Sequence, residues 1–391
     1  MNIKQLFVFV ILLMLGGAAT AAAEVIVGAA RTTEYVPRLK GKRVALLSNH
    51  TGMVGDKHTL DLMLENGVNV VTIFSPEHGF RGSADAGEHV SSGVDPQTGI
   101  AIASLYDGKR RGPAPEVMDG LDVIVCDIQD VGLRFYTYYC TMFDLMNAAA
   151  DAGKEFMVLD RPNPNGMTVD GPILDMKYES GVGRLPIPVV HGMTLGELAL
   201  MIKGEGWLKS DRDLALDVIP CDGYTHSMRY ELPIVPSPNL RNNHAIYLYP
   251  SICYFEGTPV SLGRGTDAPF EIYGHPDYKA DGDVFTFTPR SVPGAKNPPL
   301  LDVECKGVDL RGLDDEAIIA AGLDLSYVID AYRHTNLGEK FFTPFFEKLI
   351  GRGDIRGMIM AGKSADEIKA TWADDVRRFR EQRKPYLLYA E

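Results

Sequence analysis

The feature that most constrains the fold is a repeated pattern in which a short apolar run ends in a polar segment. The runs are Arg43–Ser48, Val70–Ser75, Ile100–Leu105, Leu121–Cys126 and Glu155–Leu159. Continuous apolar runs are typical of strands buried on both faces, and several of these runs are separated by apolar residues at helical spacing. Strands that alternate with helices predict right-handed βαβ crossovers. We therefore predict an α/β fold with a mostly parallel sheet.

The polar segments that follow four of these runs form the candidate site. They are Asn49-His50, Glu77-His78, Asp127 to Asp130, and Asp160 to Asn163. Parallel strands place their carboxyl ends on one edge of a sheet, and ligands of open α/β sheets bind at that edge. We therefore expect the four segments to converge on one cleft.

Composition and charge exclude some classes of partner. The chain has 52 acidic and 39 basic residues and a net charge of -13, which argues against a nucleic-acid partner. Residues 1–23 combine Lys4, an apolar run and an alanine-rich end, the pattern of a secretory signal peptide. The apolar run is shorter than the roughly 18–20 residues of a membrane span. We expect an exported protein, periplasmic or secreted, with no stable membrane insertion after signal cleavage.

The cysteines and histidines predict neither a disulfide framework nor a metal site. The five cysteines are odd in number and widely spread, and Cys126 and Cys140 are interpreted as core residues. The nine histidines lack ligand spacing, although His50, His78 and His191 could still meet in the cleft. Neither a dinucleotide fingerprint, a Walker motif nor a Gly-x-Ser-x-Gly elbow occurs. We predict no cofactor.

Glu77 is the leading candidate for a catalytic residue. It follows Pro76 at the end of a buried run and precedes His78, Gly79 and Arg81. A carboxyl against an apolar wall has a raised pKa, as a general acid near neutral pH requires, whereas Arg81 could instead hold it ionised. The alternative is an outward salt-bridged pair on a turn. The roles of acid, base and nucleophile stay open for Glu77.

A second polar group follows the strongest strand. Asp127, Gln129 and Asp130 carry carboxylates and an amide that pair well with sugar hydroxyls, and Arg134 and Tyr136 lie just beyond. The alternative is helix capping together with an ion pair between Asp130 and Arg134.

A third polar group lies in the second half of the chain. Glu256 is followed by Arg264 and Thr266, and glycines on both sides of Arg264 would let the backbone approach a ligand. The guanidinium fork suits a carboxylate. A structural role for this group is the alternative.

From about residue 220 the pattern changes. Prolines become frequent, β-prone pairs occur over 246–249, and Val284–Phe287 is the clearest strand. Helices are predicted over about Asp314–Tyr332, Glu339–Ile350 and Ser364–Arg383. Two sequences, Thr194-x-x-Glu197 and Ser364-x-x-Glu367, are predicted capping boxes at helix starts.

Several of these segments together resemble the exo-β-N-acetylmuramidase family (NamZ-type), in order from about residue 41 to the carboxyl end. The resemblance is carried by Ser75-Pro76-Glu77-His78-Gly79-Phe80-Arg81-Gly82, Asp127-Ile128-Gln129-Asp130-Val131-Gly132-Leu133-Arg134-Phe135-Tyr136-Thr137-Tyr138, Leu159-Asp160-Arg161-Pro162-Asn163-Pro164, Phe255-Glu256-Gly257-Thr258 and Gly263-Arg264-Gly265-Thr266. It implies a Rossmann-like domain with helices on both faces of the sheet and a smaller α+β C-terminal domain beside the cleft. We expect a signal peptide over 1–23, the catalytic domain over 24–240 and the C-terminal domain over 241–391.

The resemblance also implies a function. Such an enzyme is a glycoside hydrolase that removes N-acetylmuramic acid from the non-reducing ends of peptidoglycan glycan chains, its partner being that glycan. We carry over Glu77 as a catalytic residue, with Glu256 as its partner. The predicted substrate-binding residues are Asn49, His78, Arg81, Asp127, Gln129, Asp130, Arg134, Tyr136, Asn163, His191, Arg264 and Thr266.

Chemistry leaves several alternatives open. Glycoside cleavage usually needs an acid at the leaving oxygen and a second group at the anomeric carbon, but a 2-acetamido sugar could supply that second group itself. The lactyl carboxylate of muramic acid would require an arginine, and Arg81, Arg134 and Arg264 are candidates. A periplasmic glycan-binding protein without turnover and a metal-dependent hydrolase could use the same cleft.

Overall fold

A parallel sheet forms the centre of the fold. The computed structural model describes residues 25–76, 80, 93–105, 112–282 and 284–391. Within them the strands are β1 (Val44–Ser48), β2 (Met53–Val54), β3 (Lys57–His58), β4 (Val70–Ser75), β5 (Gly93–Val94), β6 (Ala101–Ser104), β7 (Val123–Asp127), β8 (Glu155–Leu159), β9 (Leu216–Ile219), β10 (Ile272–His275), β11 (Phe285–Phe287) and β12 (Cys305–Asp309).

Helices connect the strands and build the carboxyl-terminal part. They are α1 (Thr32–Leu39), α2 (Thr59–Glu65), α3 (Pro115–Asp119), α4 (Tyr138–Ala152), α5 (Leu195–Gly204), α6 (Asn243–Ile252), α7 (Asp315–Ala321), α8 (Ser326–Thr335), α9 (Phe345–Ile350), α10 (Ile355–Met360), α11 (Ala365–Lys369) and α12 (Ala373–Arg383). Among the described residues, no helix combines the length and apolar content needed to cross a membrane.

The main sheet has seven strands in the order β5-β6-β4-β1-β7-β8-β9. All its neighbouring strands run parallel except β5, which pairs antiparallel with β6. The predicted α/β class and mostly parallel sheet are therefore confirmed. The edge strand β9 is an element that the sequence pattern did not predict.

Alternation along the strands divides the interior into two cores. In β1, Val44 and Leu46 face the core that contains α1 and α2, whereas Ala45 and Leu47 face the core that contains α4 and α5. The sheet therefore has helices on both faces, as predicted.

Both predicted capping boxes are present. The Thr194 side chain accepts the Glu197 amide hydrogen while the Glu197 side chain accepts from the Thr194 amide, and Ser364 and Glu367 repeat the arrangement at the start of α11. These reciprocal bonds satisfy amide groups that a helix start leaves unpaired.

The smaller carboxyl-terminal part holds the antiparallel sheet β10-β12-β11 and α6 to α12. The β-prone residues 246–249 do not form a strand but lie inside α6. Asn242 caps that helix by accepting the amide hydrogen of Ala245, and residues 245–252 are all buried. A short stretch that is buried all round carries no period that separates helix from strand.

The carboxyl-terminal helices are shorter than the sequence predicts. The helix expected over Asp314–Tyr332 is broken at Gly322, which has φ +64° and separates α7 from α8. Pro344 directly precedes α9, so the helix expected over Glu339–Ile350 has only its second half as α-helix. A 3₁₀ turn, Ala370–Trp372, separates α11 from α12.

Arg134 joins the two parts of the chain. It is fully buried, and its Nη1 donates to the carbonyls of Pro172 (2.7 Å) and Ile187 (2.8 Å). Its Nη2 donates to Leu349 (3.0 Å) and Ile350 (2.8 Å) at the carboxyl end of α9. A cation there also interacts favourably with the helix dipole. Burial lowers the pKa of Arg134 to about 10, which leaves it charged near neutral pH.

Replacing Arg134 with methionine should therefore destabilise the protein by about 3–5 kcal/mol, since four buried carbonyls lose their donors. Urea unfolding followed by circular dichroism measures this. The control is Arg377→Met, which removes an exposed pair with Asp374 and should cost less than about 1 kcal/mol. Equal unfolding midpoints for the two variants would contradict the role of Arg134.

Candidate active site

The carboxyl ends of β1, β7 and β8 meet at one edge of the sheet. Ser48 at the end of β1 lies opposite Asp127 at the end of β7. Beyond the strands, Thr51 Oγ1 accepts the amide hydrogen of Gln129 at 3.0 Å and donates to Asn49 Oδ1 at 2.6 Å. Segments far apart in the sequence are thus in contact, as the parallel arrangement predicts.

A buried ion pair connects the ends of β7 and β8. Arg161 donates from Nε to Asp127 Oδ1 (2.6 Å) and from Nη2 to Asp127 Oδ2 (3.0 Å). Both side chains are buried, and Arg161 also donates to the carbonyl of Met53. The two-point geometry is the strong form of this interaction. Because both oxygens of Asp127 accept from Arg161, Asp127 anchors the edge.

Gln129 and Asn163 tie the two loops together. Gln129 Nε2 donates to the carbonyls of Asp130 and Pro162, each at 2.7 Å, and Asn163 Nδ2 donates to Met193 at 2.9 Å. Gly132 makes this packing possible. It has φ +75°, and a Cβ there would lie 2.2 Å from Asn163 Nδ2.

Asp130 is the predicted site carboxyl with unused hydrogen-bonding capacity at this edge. Its Oδ1 accepts the Gly132 amide hydrogen at 2.7 Å, whereas its buried Oδ2 has no partner in the described structure. Burial raises the pKa of Asp130 to about 7, so the carboxyl can act as donor or acceptor near neutral pH. Asn49 Nδ2 is a second buried polar atom without a partner there. Such atoms are rare in folded proteins and suit a polar ligand.

His191 lies against the same edge in its neutral form. Its backbone amide donates to the Gly132 carbonyl at 3.3 Å, and its Nδ1 accepts from the amide of Met193. Burial lowers the pKa of His191 to about 3, and the nearby positive charge of Arg383 acts in the same direction. Its Nε2 has no partner within the described residues.

A pocket of about 110 Å³ collects three other predicted residues, Tyr136, Glu256 and Arg264. Its described lining residues are Phe135, Tyr136, Thr137, Tyr138, Val182, Ser237, Asn239, Leu240, Tyr249, Glu256, Arg264 and Phe270. Aromatic rings with a few polar groups are typical of small-ligand sites.

Glu256 and Arg264 form an ion pair at this pocket. Arg264 donates from Nη2 (2.6 Å) and from Nε (3.1 Å) to the same oxygen, Glu256 Oε1. The guanidinium lies over the ring of Phe270, 5.0 Å from its centre. Tyr136 donates to the carbonyl of Pro236 at 2.8 Å, which holds its ring in the pocket wall.

The remaining predicted residues fall elsewhere. Thr266 turns its hydroxyl onto the carbonyl of Gly263 at 2.6 Å and so shapes the loop that carries Arg264. The structure does not bring Arg134 into the pocket, because its guanidinium is committed to the joint described above. Glu77, His78 and Arg81 lie outside the described residues.

Sequence reasoning missed several residues of the site. Arg161 lies within the predicted polar segment 160–163 but was not itself predicted as a site residue. Its pairing with Asp127 could have been expected, because the two residues carry opposite charges at the ends of neighbouring strands. Ser237 and Asn239 lie in a proline-rich stretch without periodicity, and no local pattern assigns such residues to a pocket.

Comparison with known families decides the membership of this chain. A model described as "Exo-beta-N-acetylmuramidase NamZ, N-terminal" matches residues 44–244, and the corresponding C-terminal model matches residues 247–389. The chain belongs to the NamZ family. The resemblance found in the motifs is thereby confirmed. Both NamZ parts line the pocket, since Tyr136 falls in the first match and Glu256 and Arg264 in the second.

Individual relatives agree with this membership. The chain is 39% identical over 375 residues to the peptidoglycan beta-N-acetylmuramidase NamZ of Bacillus subtilis, covering 91% of this chain and 89% of the relative. Two crystal structures of DUF1343 family proteins from Bacteroides fragilis are also similar. One has a TM-score of 0.88 at 59% identity, covering 94% of this chain and all of that chain. The other has a TM-score of 0.80 at 29% identity, covering 93% and 99%.

Proposed function

We propose that this protein is an exo-acting glycoside hydrolase that releases N-acetylmuramic acid from the non-reducing ends of peptidoglycan glycan chains. The observation that carries the proposal is the pocket in which a largely buried arginine, a carboxylate and several aromatic rings meet in a member of the NamZ family. The relative from Bacillus subtilis is named for the same substrate and bond. We further propose that residues 1–23 direct export, which would bring the enzyme to this substrate.

Arg264 is the residue that we assign to the lactyl carboxylate of muramic acid. Its Nε and Nη2 both donate to Glu256 Oε1, so the outer side of its fork remains to meet a second carboxylate. The ring of Phe270 and the carboxylate of Glu256 hold the guanidinium in place before substrate arrives. Such preorganisation lowers the entropic cost of binding.

Glu77 is the residue that we assign to acid–base chemistry at the glycosidic oxygen. The strand β4 ends at Ser75 and pairs with β1, so the chain leaves the sheet at the edge where Asn49 and Asp127 lie. Protonation of the leaving oxygen by a carboxyl is the common requirement of glycoside cleavage. The second group is either Glu256, the carboxylate of the described pocket, or the acetamido group of the sugar.

The edge residues complete the assignment. Asp130 Oδ2 and Asn49 Nδ2 are buried polar atoms that lack partners in the described chain and are suited to sugar hydroxyls. Gln129, Asn163 and Asp127 hold the loops that carry them. In this proposal Asp130 and Asn49 bind the sugar, whereas Gln129, Asn163 and Asp127 hold the loops of the sheet edge in position.

The catalytic assignment is tested by Glu77→Gln, which keeps the size of the side chain and removes its acid. We expect kcat on a chromogenic β-N-acetylmuramide to fall by about 100-fold or more. Free N-acetylmuramic acid release is quantified in parallel. Glu116→Gln, an exposed glutamate at the start of α3, is the control and should match wild type. Wild-type turnover by Glu77→Gln would remove Glu77 from the mechanism, whereas binding without turnover by wild type would indicate a glycan-binding protein.

The substrate assignment is tested by Arg264→Met. The variant should lose about 10- to 100-fold in kcat/KM on the muramide, because a charge-assisted contact to the lactyl carboxylate is lost. The corresponding N-acetylglucosaminide lacks that carboxylate, so its kcat/KM should change much less. Arg290→Met is the control, since Arg290 is exposed and its backbone bonds the same loop at Gly265. An equal loss on both sugars would refute the assignment.

A further inference from the structure

A cluster of buried polar groups surrounds Asp160, the first residue of the loop 160–163, and none of its residues is assigned to the proposed sugar site. Asp160, directly after β8, is fully buried and accepts hydrogen bonds from Thr194 Oγ1 (2.6 Å), the Gly196 amide (2.8 Å) and the Tyr389 hydroxyl (2.6 Å). Gly196 permits this approach, because a Cβ there would lie 2.7 Å from Asp160 Cγ.

The segment 386–391, which carries Tyr389, is fixed onto the same cluster at several points. The Leu388 amide donates to Glu197 Oε1 at 2.8 Å, and His226 Nε2 is 2.9 Å from the same oxygen. The His226 amide donates to the Ala390 carbonyl at 2.8 Å. The Tyr389 hydroxyl also accepts the Cys221 amide hydrogen at 2.9 Å. The carboxyl-terminal segment is thereby built into the catalytic domain.

The cluster is one residue away from the site edge. Asp160 is followed by Arg161, whose guanidinium pairs with Asp127, and the carbonyl of Pro162 accepts from Gln129. A change in how Asp160 is held must therefore be transmitted along the backbone to the side chains that fix the edge. The Tyr389 ring itself packs edge-on against Tyr224, with centroids 4.9 Å apart.

The Asp160 carboxylate depends on its donors. Burial raises the pKa of Asp160 to about 6, and the negative charge of Glu197 adds to this, whereas the hydrogen bonds from Thr194, Tyr389 and the Gly196 amide oppose it. The other ionisable groups that interact with it are Cys126, Cys221 and Tyr224. Both oxygens of Asp160 already accept hydrogen bonds, two on Oδ2 and one on Oδ1, so a proton on either oxygen would face a donor. Protonation of Asp160 would therefore disturb the cluster.

We propose that Tyr389 is a positioning residue of the active site, whose hydroxyl holds the Asp160 carboxylate and so keeps the loop 160–163 in register with Asp127 and Gln129. Tyr389 is not among the described residues that line the pocket. Its effect on the site passes through Asp160, to which its hydroxyl donates.

Tyr389→Phe tests the proposal, because it removes the hydroxyl and keeps the ring contacts. One donor to the ionised carboxylate is lost, so the acid limb of the kcat/KM profile on the β-muramide should move up by about one pH unit. Activity at about pH 8 should approach wild type, since Asp160 is ionised there in both proteins. Tyr386→Phe is the matched control. Tyr386 lies on the same segment as Tyr389, but its hydroxyl donates to Glu205 and not to Asp160, so its profile should not move.

The loss of stability caused by Tyr389→Phe should grow as pH rises, whereas its loss of activity should shrink. The pKa of Asp160 is raised in the folded state, so ionised Asp160 costs stability as pH rises, and the Tyr389 hydroxyl offsets part of that cost. Tyr389→Phe should therefore lower the urea midpoint more at about pH 8 than at about pH 5. This measurement stands independently of the proposed function, on which the activity measurement rests. If wild type does not turn over the muramide, calorimetric binding of N-acetylmuramic acid across pH replaces kcat/KM.

Three outcomes would overturn the proposal. The first is an unchanged acid limb in Tyr389→Phe, and the second is a loss of activity that is the same at every pH, as a purely structural role would give. The third concerns Asp160→Asn, which carries the test if Tyr389→Phe folds poorly. Its amide cannot titrate, so the limb assigned to Asp160 should be absent, and a wild-type acid limb in that variant contradicts the proposal.

Discussion

The buried pair between Asp127 and Arg161 is the interaction on which the rest of the site depends. It connects the ends of two neighbouring parallel strands, and both of its charges are removed from water. Removing either partner would leave one buried charge uncompensated and would destabilise the fold by about 3–5 kcal/mol. The pair therefore fixes the relative position of two loops that are 34 residues apart in the chain. Thr51, Gln129 and Asn163 extend the same connection to β1 and to the start of α5.

A second constraint is the attachment of the carboxyl-terminal part to this edge. Arg134 donates to carbonyls on both sides of the joint, and Tyr389 reaches back to Asp160 below the site. The pocket is divided in the same way, with Tyr136 on one part and Glu256 and Arg264 on the other. Movement between the two parts would separate Arg264, which we propose to bind the lactyl carboxylate, from the sheet edge. We infer that rigid attachment is a requirement for recognition of the substrate.

The sequence was most informative where local chemistry and tertiary structure agree. Apolar runs such as Val70–Ser75 predicted strands because burial on both faces leaves a continuous pattern, and the two capping boxes predicted helix starts because their hydrogen bonds are local. The parallel direction of the strands then predicted that Asn49, Asp127 and Asn163 would lie at one edge of the sheet. These inferences needed no information on long-range packing.

The remaining features depended on contacts that no local pattern records. Residues 246–249 have β propensity but are helical, because α6 is buried all round and capped by Asn242. Arg134 was predicted to contact substrate, yet its partners lie up to 216 residues away and appear only in the folded chain. The ion pair of Glu256 with Arg264 was not predicted as such, although both residues were selected. The roles of Glu77, His78 and Arg81 stay predictions.

The central claim is that residues at the edge of the parallel sheet and Arg264 bind the same muramic acid residue. A crystal structure of the Glu77→Gln protein with a disaccharide that ends in N-acetylmuramic acid tests this most directly. We expect the lactyl carboxylate within about 3 Å of the Arg264 guanidinium and the carboxamide introduced at position 77 at a similar distance from the glycosidic oxygen. A sugar bound with its carboxylate directed away from Arg264, or with the side chain at position 77 on the far side of the sheet, would contradict the account.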